Sequence, residues 1–346
     1  MNPNFDDIRR EAEQGNANAQ YNLAIAYDEG YGVEKDLAES VKWFRKAAEQ
    51  GMARAQFSLG FAYYYGGGGA KDRAEGVKWY RKAAEQGDAD AQYYLGRAYA
   101  IGEGVEKDLV EKVKWWRKAA EQGHAMAQYD LGRAYDDLGR AYDEGTGVAK
   151  DPVEAVKWYR KAAEQGHAMA QYDLGMAYYF GNGVAKDLVE SVKWYRKAAE
   201  QGDAIAQLNL GNAYYLGNGV AKDPVEAVKW YRKAAEQGNA SGQNLLGDAY
   251  YFGTGVAKDP VEAVKWWRKA SEKGNAVAQS LLGSAYLEGE GVAKNQVEGY
   301  AWINLAAVTD EDAKKKREEL EKSMTAQQVA DGQKRSTELS ALIKNK

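Results

Sequence analysis

The side chains best suited to chemistry are scarce in this chain. It has no cysteine, which excludes disulfides, thiolate nucleophiles and cysteine metal sites. Its two histidines, His124 and His167, each follow a glycine at matching places in the sequence. A metal site needs further ligands that converge on the ion, and no third ligand has suitable spacing. We therefore predict that the histidines begin helices, with metal binding as the alternative, and we expect no catalytic residue, cofactor or metal.

Two short runs resemble functional motifs only superficially. The glycines at 66–69 are not followed by Gly-Lys-Ser/Thr, so they do not form a phosphate-binding loop and indicate a turn. The basic run 314–317 is flanked by acidic residues at 310–312 and 318–319, which is typical of a solvated helix face.

Composition excludes several classes of function. The 47 basic and 51 acidic residues give a net charge of −4, without the basic surplus that nucleic-acid binding requires. No apolar run approaches the roughly 18 residues of a membrane span. The first residues lack the apolar core of a secretory signal. We expect a cytoplasmic protein, or a periplasmic or secreted one if a leader has been removed.

The dominant feature is an internal repeat. A Glu-Gln-Gly run, with Glu-Lys-Gly as its last copy, recurs every 36 residues apart from one step of 43. Its glycines are Gly15, Gly51, Gly87, Gly123, Gly166, Gly202, Gly238 and Gly274. This period predicts an N-terminal half-repeat helix at 1–15, eight units over 16–308 and a C-terminal cap at 309–346.

Each unit predicts two helices, which we call helix A and helix B. In the first helix A, Leu23, Ala26 and Tyr27 recur at helical spacing, and Gly30 suits the helix end. Helix B begins in several units with a capping aspartate and a proline, as at Asp151. Its apolar stripe contains a repeated tryptophan, while lysines and arginines form a polar stripe. One pair cannot bury these aromatic residues alone, so neighbouring pairs must stack into an all-α solenoid.

The longer step lies in the fourth unit, residues 124–166. The heptad Leu131-Gly-Arg-Ala-Tyr-Asp-Asp137 is followed at once by the near copy beginning at Leu138. Seven residues fall only about 20° short of two helical turns. The insertion can therefore extend helix A, which we favour, or bulge out of the stack.

The repeated residues resemble the Sel-1-like repeat (SLR), a relative of the tetratricopeptide repeat. The segment from Ala170 to Gly202 reads Ala-Gln-Tyr-x-Leu-Gly-x-Ala-Tyr-x-x-Gly-x-Gly-Val-x-x-Asp and then Ser-Val-Lys-Trp-Tyr-Arg-Lys-Ala-Ala-Glu-Gln-Gly after three residues. The resemblance extends from Gly15 to about Ala307. It implies two-helix units in a right-handed superhelix and a role as adaptor or scaffold for a protein or peptide. A cysteine-rich branch is linked to penicillin binding, but this chain lacks its cysteines and any Ser-x-x-Lys.

The last unit departs from the repeat. Ala301, Asn304 and Leu305 replace the polar residues of helix B, so this face should be covered. We predict that residues 312–343 form two helices that fold back over it, with Thr325 and Gln328 as a capping box for the second.

The units differ mainly on one face of helix A, whereas helix B barely changes. In tetratricopeptide relatives this face lines a concave groove, so the resemblance places the partner-binding site there. Aromatic residues among isolated charges and amides are typical of such surfaces. The candidate residues are Phe61, Tyr65, Tyr94, Arg97, Ile101, Asp130, Arg133, Arg140, Asp173, Met176, Phe180, Asn209, Asn212, Leu216, Leu245, Asp248 and Phe252. The alternative is neutral drift on a solvated face.

Three hypotheses for function follow. We favour a non-enzymatic scaffold that binds a protein or peptide, with a monomer as the expected state. The second is a cell-wall or β-lactam-related binder or hydrolase, as in the cysteine-rich relatives. The third is a structural array without a specific ligand, because the middle units are nearly identical.

Overall fold

The structure is a computed structural model that describes residues 5–69, 71–136 and 148–344. Across these ranges the chain forms nineteen α-helices and no strand. In chain order they are Phe5–Glu13 (α1), Ala17–Glu29 (α2), Leu37–Glu49 (α3), Ala53–Tyr65 (α4), Arg73–Glu85 (α5), Ala89–Ile101 (α6), Leu109–Glu121 (α7), Ala125–Asp136 (α8), Pro152–Glu164 (α9), Ala168–Phe180 (α10), Leu188–Glu200 (α11), Ala204–Leu216 (α12), Pro224–Glu236 (α13), Ala240–Phe252 (α14), Pro260–Ser271 (α15), Ala276–Glu288 (α16), Gln296–Ala306 (α17), Glu311–Ser323 (α18) and Ala326–Lys344 (α19).

The even helices from α2 to α16 are the A helices, and the odd helices from α3 to α17 are the B helices. The all-α repeat fold expected from the sequence is confirmed. The helices belong to two compact bodies. The N-terminal body comprises Met1–Ala177 and Gly181–Ala185, and the C-terminal body comprises Tyr178–Phe180 and Lys186–Lys346.

Helix ends follow the capping residues that the sequence repeats. At the start of α9, the side chain of Asp151 accepts a hydrogen bond from the Glu154 amide at 3.0 Å. The A helices of most units end at a glycine in the left-handed conformation, such as Gly181 with φ of 78°. Two residues later, a Cβ at Gly183 would overlap the carbonyl oxygen of Pro152. The Gly-x-Gly spacing therefore combines a helix end with a close backbone approach.

Leucine and glycine on helix A set the packing within each pair. The shared leucine is fully buried in all eight units, as at Leu59. One residue later, a Cβ at Gly60 would lie 2.8 Å from the Tyr80 ring and 2.9 Å from the Gly76 carbonyl oxygen. The glycine thus lets an aromatic residue of helix B pack directly on the helix A backbone.

A buried glutamine on helix A links successive units. Gln56 donates its side-chain amide to the Ala48 carbonyl at 3.1 Å, and it accepts a bond from Gln86 of the next helix B at 2.6 Å. The same glutamine pair recurs with distances of 2.6–2.8 Å. The pairs are Gln50–Gln20, Gln86–Gln56, Gln122–Gln92, Gln165–Gln128 and Gln237–Gln207.

The polar stripe of helix B makes repeated contacts with aromatic side chains. Its arginines donate to the hydroxyl of a tyrosine on the following helix A, as Arg81 does to Tyr99 at 2.6 Å. Its last lysine lies over the tryptophan ring of the same helix, as Lys161 does over Trp158 at 4.0 Å. The Arg–Tyr bonds are Arg45–Tyr63, Arg81–Tyr99, Arg117–Tyr135, Arg196–Tyr214, Arg232–Tyr250 and Arg268–Tyr286.

In the fourth unit, the first copy of the duplicated heptad occupies the helix A register. Leu131 is fully buried, and Gly132 lies beneath the Tyr159 ring. The Asp151 amide bonds to the Tyr135 carbonyl at 2.9 Å, as its counterparts do in other units. The seven added residues therefore lie between Tyr135 and Asp151. The choice between a longer helix and a bulge concerns 137–147, which lie outside the described residues.

The last two helices cover α17, as the sequence predicts. The capping box before α19 is formed, because Thr325 and Gln328 exchange hydrogen bonds of 2.9 and 3.2 Å. Leu339 of α19 is buried in one cluster with Trp302 of α17. Asn304, which replaces the arginine of helix B, donates to Ser336 at 3.1 Å.

Candidate interaction surface on the A helices

The A helices carry large exposed side chains at one shared position in the last helical turn. They are bulky and apolar in five units, and each is at least 46% exposed. These residues are Tyr65, Ile101, Phe180, Leu216 and Phe252. The helix ends directly after them at a glycine, so they lie at one end of each A helix.

Several acidic and amide candidates already form hydrogen bonds within the protein. Asp130 accepts a bond from the Tyr93 hydroxyl at 3.0 Å, and Asn212 accepts one from the Tyr231 hydroxyl at 2.9 Å. Burial raises the pKa of Asp130, although the Tyr93 bond and nearby arginines oppose this rise. These side chains hold tyrosines in place and are less available to a partner than their sequence position suggests.

Asp248 is held in the same manner in the C-terminal body. It accepts bonds from the Trp267 indole at 2.8 Å and from the Asn244 amide at 3.3 Å. Burial raises its pKa, and the two hydrogen bonds oppose this rise.

The two basic candidates that the structure describes lie over aromatic rings. Arg97 is 5.7 Å from the Tyr94 ring centre, and Arg133 is 5.9 Å from that of Tyr129. Both distances suit cation–π contacts, which orient the guanidinium groups. The remaining described candidates, which are Asp173, Met176, Asn209 and Leu245, are half-buried. Arg140 lies outside the described residues.

One cavity of about 620 Å³ lies on this surface in the N-terminal body. It brings together three candidates from two A helices, namely Phe61, Tyr65 and Tyr94. The site selection from sequence missed Phe44 and Phe57, which also line the cavity. Phe57 lies four residues before the candidate Phe61 and thus on the same face of α4, so its large side chain was a usable signal. Phe44 belongs to helix B, which the comparison of units treats as scaffold.

The histidines begin helices, as predicted. His167 accepts a bond from the Ala170 amide at 3.2 Å, and His124 accepts one from the Ala127 amide at 3.1 Å. In the parts of the chain that the structure describes, no group of three or more His, Cys, Asp or Glu residues could hold a metal ion. None of the described helices is long and apolar enough to cross a membrane.

The paired helices and their repeated contacts define an α-helical repeat protein. The Sel1 repeat model matches residues 17–52, 53–88, 89–124, 125–167, 168–203, 204–239, 240–275 and 276–307, and the chain belongs to the Sel1 repeat family. Proteins of this family are generally protein-interaction scaffolds and typically non-enzymatic.

Two solved structures are similar over nearly the whole chain. A Sel1 repeat protein from Oxalobacter formigenes is 33% identical with a TM-score of 0.66, covering 92% of this chain and 91% of its own. A protective antigen of uropathogenic Escherichia coli strains, which displays an SLR fold, is 32% identical with a TM-score of 0.62. That match covers 98% of this chain and 94% of the antigen. No curated protein matches the chain significantly.

Proposed function

We propose that this protein is a non-enzymatic scaffold that binds a protein or peptide along the variable face of its A helices. The observation that carries the proposal is the series of exposed apolar side chains at one helix A position. Phe180 and Phe252 are 66% and 69% exposed, although the core around them is well packed. Exposed aromatic residues at equivalent sites are typical of interaction surfaces, since a partner can bury them.

The exposed lysine stripe of the B helices differs from this face, although five B helices also expose one valine near their start, such as Val153. Their outward lysines form ion pairs with a glutamate three residues earlier, such as Lys157 with Glu154 at 2.9 Å and Lys229 with Glu226 at 2.8 Å. The two charges of such an exposed ion pair neutralise each other, and the pair itself contributes little free energy. Specific recognition is therefore better served by helix A.

The test compares equivalent changes on the two faces. Arg97→Glu, Phe180→Ala and Phe252→Ala alter the proposed face, while Lys157→Glu and Lys229→Glu serve as outer-face controls. The partner is captured from native lysate, identified by mass spectrometry and then titrated in purified form. We expect each helix A variant to weaken its binding by roughly tenfold, a typical loss for an interface anchor. Unchanged affinity in all three variants would refute the proposal.

No feature of the described residues specifically favours the β-lactam-related hypothesis or the structural array. A chain without any partner would instead support the structural array. Hydrolysis of a chromogenic β-lactam would support the enzyme hypothesis.

A further inference from the structure

The cavity in the N-terminal body has walls from three successive units. Helix α3 contributes Phe44, α4 contributes Phe57, Phe61 and Tyr65, and α6 contributes Tyr94. Its volume of about 620 Å³ falls within the range of roughly 300–1,000 Å³ found for ligand pockets. The space is sufficient for a large side chain together with part of its backbone.

The aromatic walls support one another. The Phe61 ring centre is 4.5 Å from that of Tyr65, 5.6 Å from Tyr94 and 6.2 Å from Phe57. Phe61 and Tyr65 nevertheless remain 41% and 46% exposed. The rings are already ordered by their neighbours, so a ligand would bury them with little loss of side-chain entropy.

The charged residues that line the cavity have an acidic excess. Asp28 comes from the last turn of α2 and Asp90 from the first turn of α6, against the single cation Lys35. The Asp90 carboxylate is 61% exposed, although His124 Nε2 lies 3.2 Å away. Carboxylates beside aromatic faces favour a cation, through both charge pairing and cation–π attraction.

We propose that this pocket binds a peptide segment of a partner protein in which a large aromatic side chain stands next to a lysine or arginine. The aromatic side chain fills the space beside Phe61, and the neighbouring cation pairs with Asp28 or Asp90. The inference rests on the proposed scaffold function, and it specifies which kind of peptide one part of the variable face would bind. A lone apolar group would make no use of the two carboxylates, and an acidic segment would be repelled by them.

Synthetic peptides test this chemistry on the full-length protein. Fluorescently labelled Gly/Ser octapeptides carry Trp-Lys, Trp-Glu or Gly-Lys at their centre, and anisotropy measures their binding. We expect Trp-Lys to bind at least about tenfold more tightly than the other two, since one well-placed contact is worth about that factor. Equal affinities for Trp-Lys and Trp-Glu would overturn the proposed charge preference.

Variants then assign the two parts of the site. Phe61→Ala should weaken Trp-Lys binding by roughly fivefold or more, as expected for loss of an anchor wall. The double change Asp28→Asn with Asp90→Asn leaves Lys35 as the charged lining residue, so it should abolish the preference for Trp-Lys over Trp-Glu. Tyr31→Ala removes another exposed aromatic residue of this body, and Glu49→Gln with Glu85→Gln removes two acids elsewhere; both should bind as the wild type does. Wild-type affinity in Phe61→Ala would overturn the pocket.

Folding and the wider proposal are checked separately. Circular dichroism monitors each variant, and Phe61→Leu, which retains apolar bulk without the ring, replaces Phe61→Ala if that protein unfolds. A natural partner that is lost with Phe180→Ala or Phe252→Ala but retained with Phe61→Ala would refute this pocket and leave the scaffold function intact. A partner unaffected by all three changes would refute the scaffold function itself.

Discussion

The buried glutamines of the A helices show how one side chain can join two helices at once. Each amide nitrogen donates to a backbone carbonyl of the preceding helix, and in most units the amide oxygen accepts from a second glutamine, as Gln56 does from Gln86. The contact is missing at Gln243, because Lys273 replaces the partner glutamine. The side-chain oxygen of Gln243 is buried without a hydrogen bond among the described residues. An unpaired buried acceptor costs about 1–3 kcal/mol.

Lys273→Gln should therefore stabilise the protein. The new amide can donate to Gln243, and we expect the free energy of unfolding to rise by about 1 kcal/mol. Urea denaturation followed by circular dichroism measures the change. The reverse substitution, Gln237→Lys, breaks the intact bond to Gln207 and should lower stability by a similar amount. A Lys273→Gln protein no more stable than the wild type would contradict this interpretation.

His167 should make stability depend on pH. Burial lowers its pKa, although the Asp130 carboxylate opposes the shift, and its neutral ring caps α10. The folded state thus binds the proton less readily than the unfolded state. This contribution to stability is complete above the ordinary pKa of about 6.5 and is lost as the pH falls through the lower folded-state pKa.

The substitution His167→Asn tests this dependence. Asparagine caps equivalent helices at Asn239 and Asn275, so it should preserve the cap without titrating. We expect the variant to lose less stability than the wild type when the pH falls from 7 to about 5. Chemical denaturation at several pH values provides the measurement, and parallel pH curves for the two proteins would contradict it.

At the scale of elements, the two helices of a unit have different roles in packing. Helix B carries the conserved polar contacts of the stack, since its arginine and glutamine reach neighbouring A helices. Helix A buries its leucine and glycine on one side and is free to vary on the other. The last helix B, α17, lacks the repeated polar residues of the other B helices. Its substituted face is covered by α18 and α19.

The covering helix α19 provides a matched pair of leucines. Leu339 is 6% exposed and Leu342 is 58% exposed. Leu339→Ala should lower the free energy of unfolding by about 2–3 kcal/mol, whereas Leu342→Ala should have little effect. Thermal and urea denaturation of both variants give the comparison. Equal effects at the two positions would show that α19 does not bury its apolar face on α17.

Deletion of residues 309–346 tests the cover as a whole. The truncation exposes the apolar face of α17 around Ala301 and Leu305, so we expect lower stability and greater aggregation. A truncated protein as stable and soluble as the full chain would argue against a covering role.

At the scale of the whole molecule, neighbouring units within each compact body are joined by recurring bonds, such as Gln56 to the Ala48 carbonyl and Arg81 to the Tyr99 hydroxyl. Stability in such an array is close to a sum of unit and nearest-neighbour terms. A local defect should therefore act locally. This expectation concerns each compact body separately.

Leu210→Ala in α12 tests this locality. The leucine is fully buried, so its truncation should cost about 2–5 kcal/mol. Hydrogen exchange followed by mass spectrometry should show faster exchange in α11 to α14, with little change in α17 to α19 of the same body. A uniform increase across this body would show that it unfolds as one cooperative unit.

The sequence by itself determined the helices, their order and the repeat, because its period and its capping residues are local signals. It also located the cover of α17, since Leu305 and its neighbours break a pattern repeated seven times. The candidate face could be selected only as a set of variable positions. Which of them bind a partner is still a prediction.

Tertiary structure decided what depends on distant partners. It placed Asp130 and Asp248 in internal hydrogen bonds, and it joined Phe44 of helix B to the aromatic cavity. It also selected the first heptad copy for the helix A register, because only the positions of Leu131 and Gly132 relative to α9 distinguish two nearly identical segments. These features arise from contacts between helices, and the spacing within one helix does not encode them.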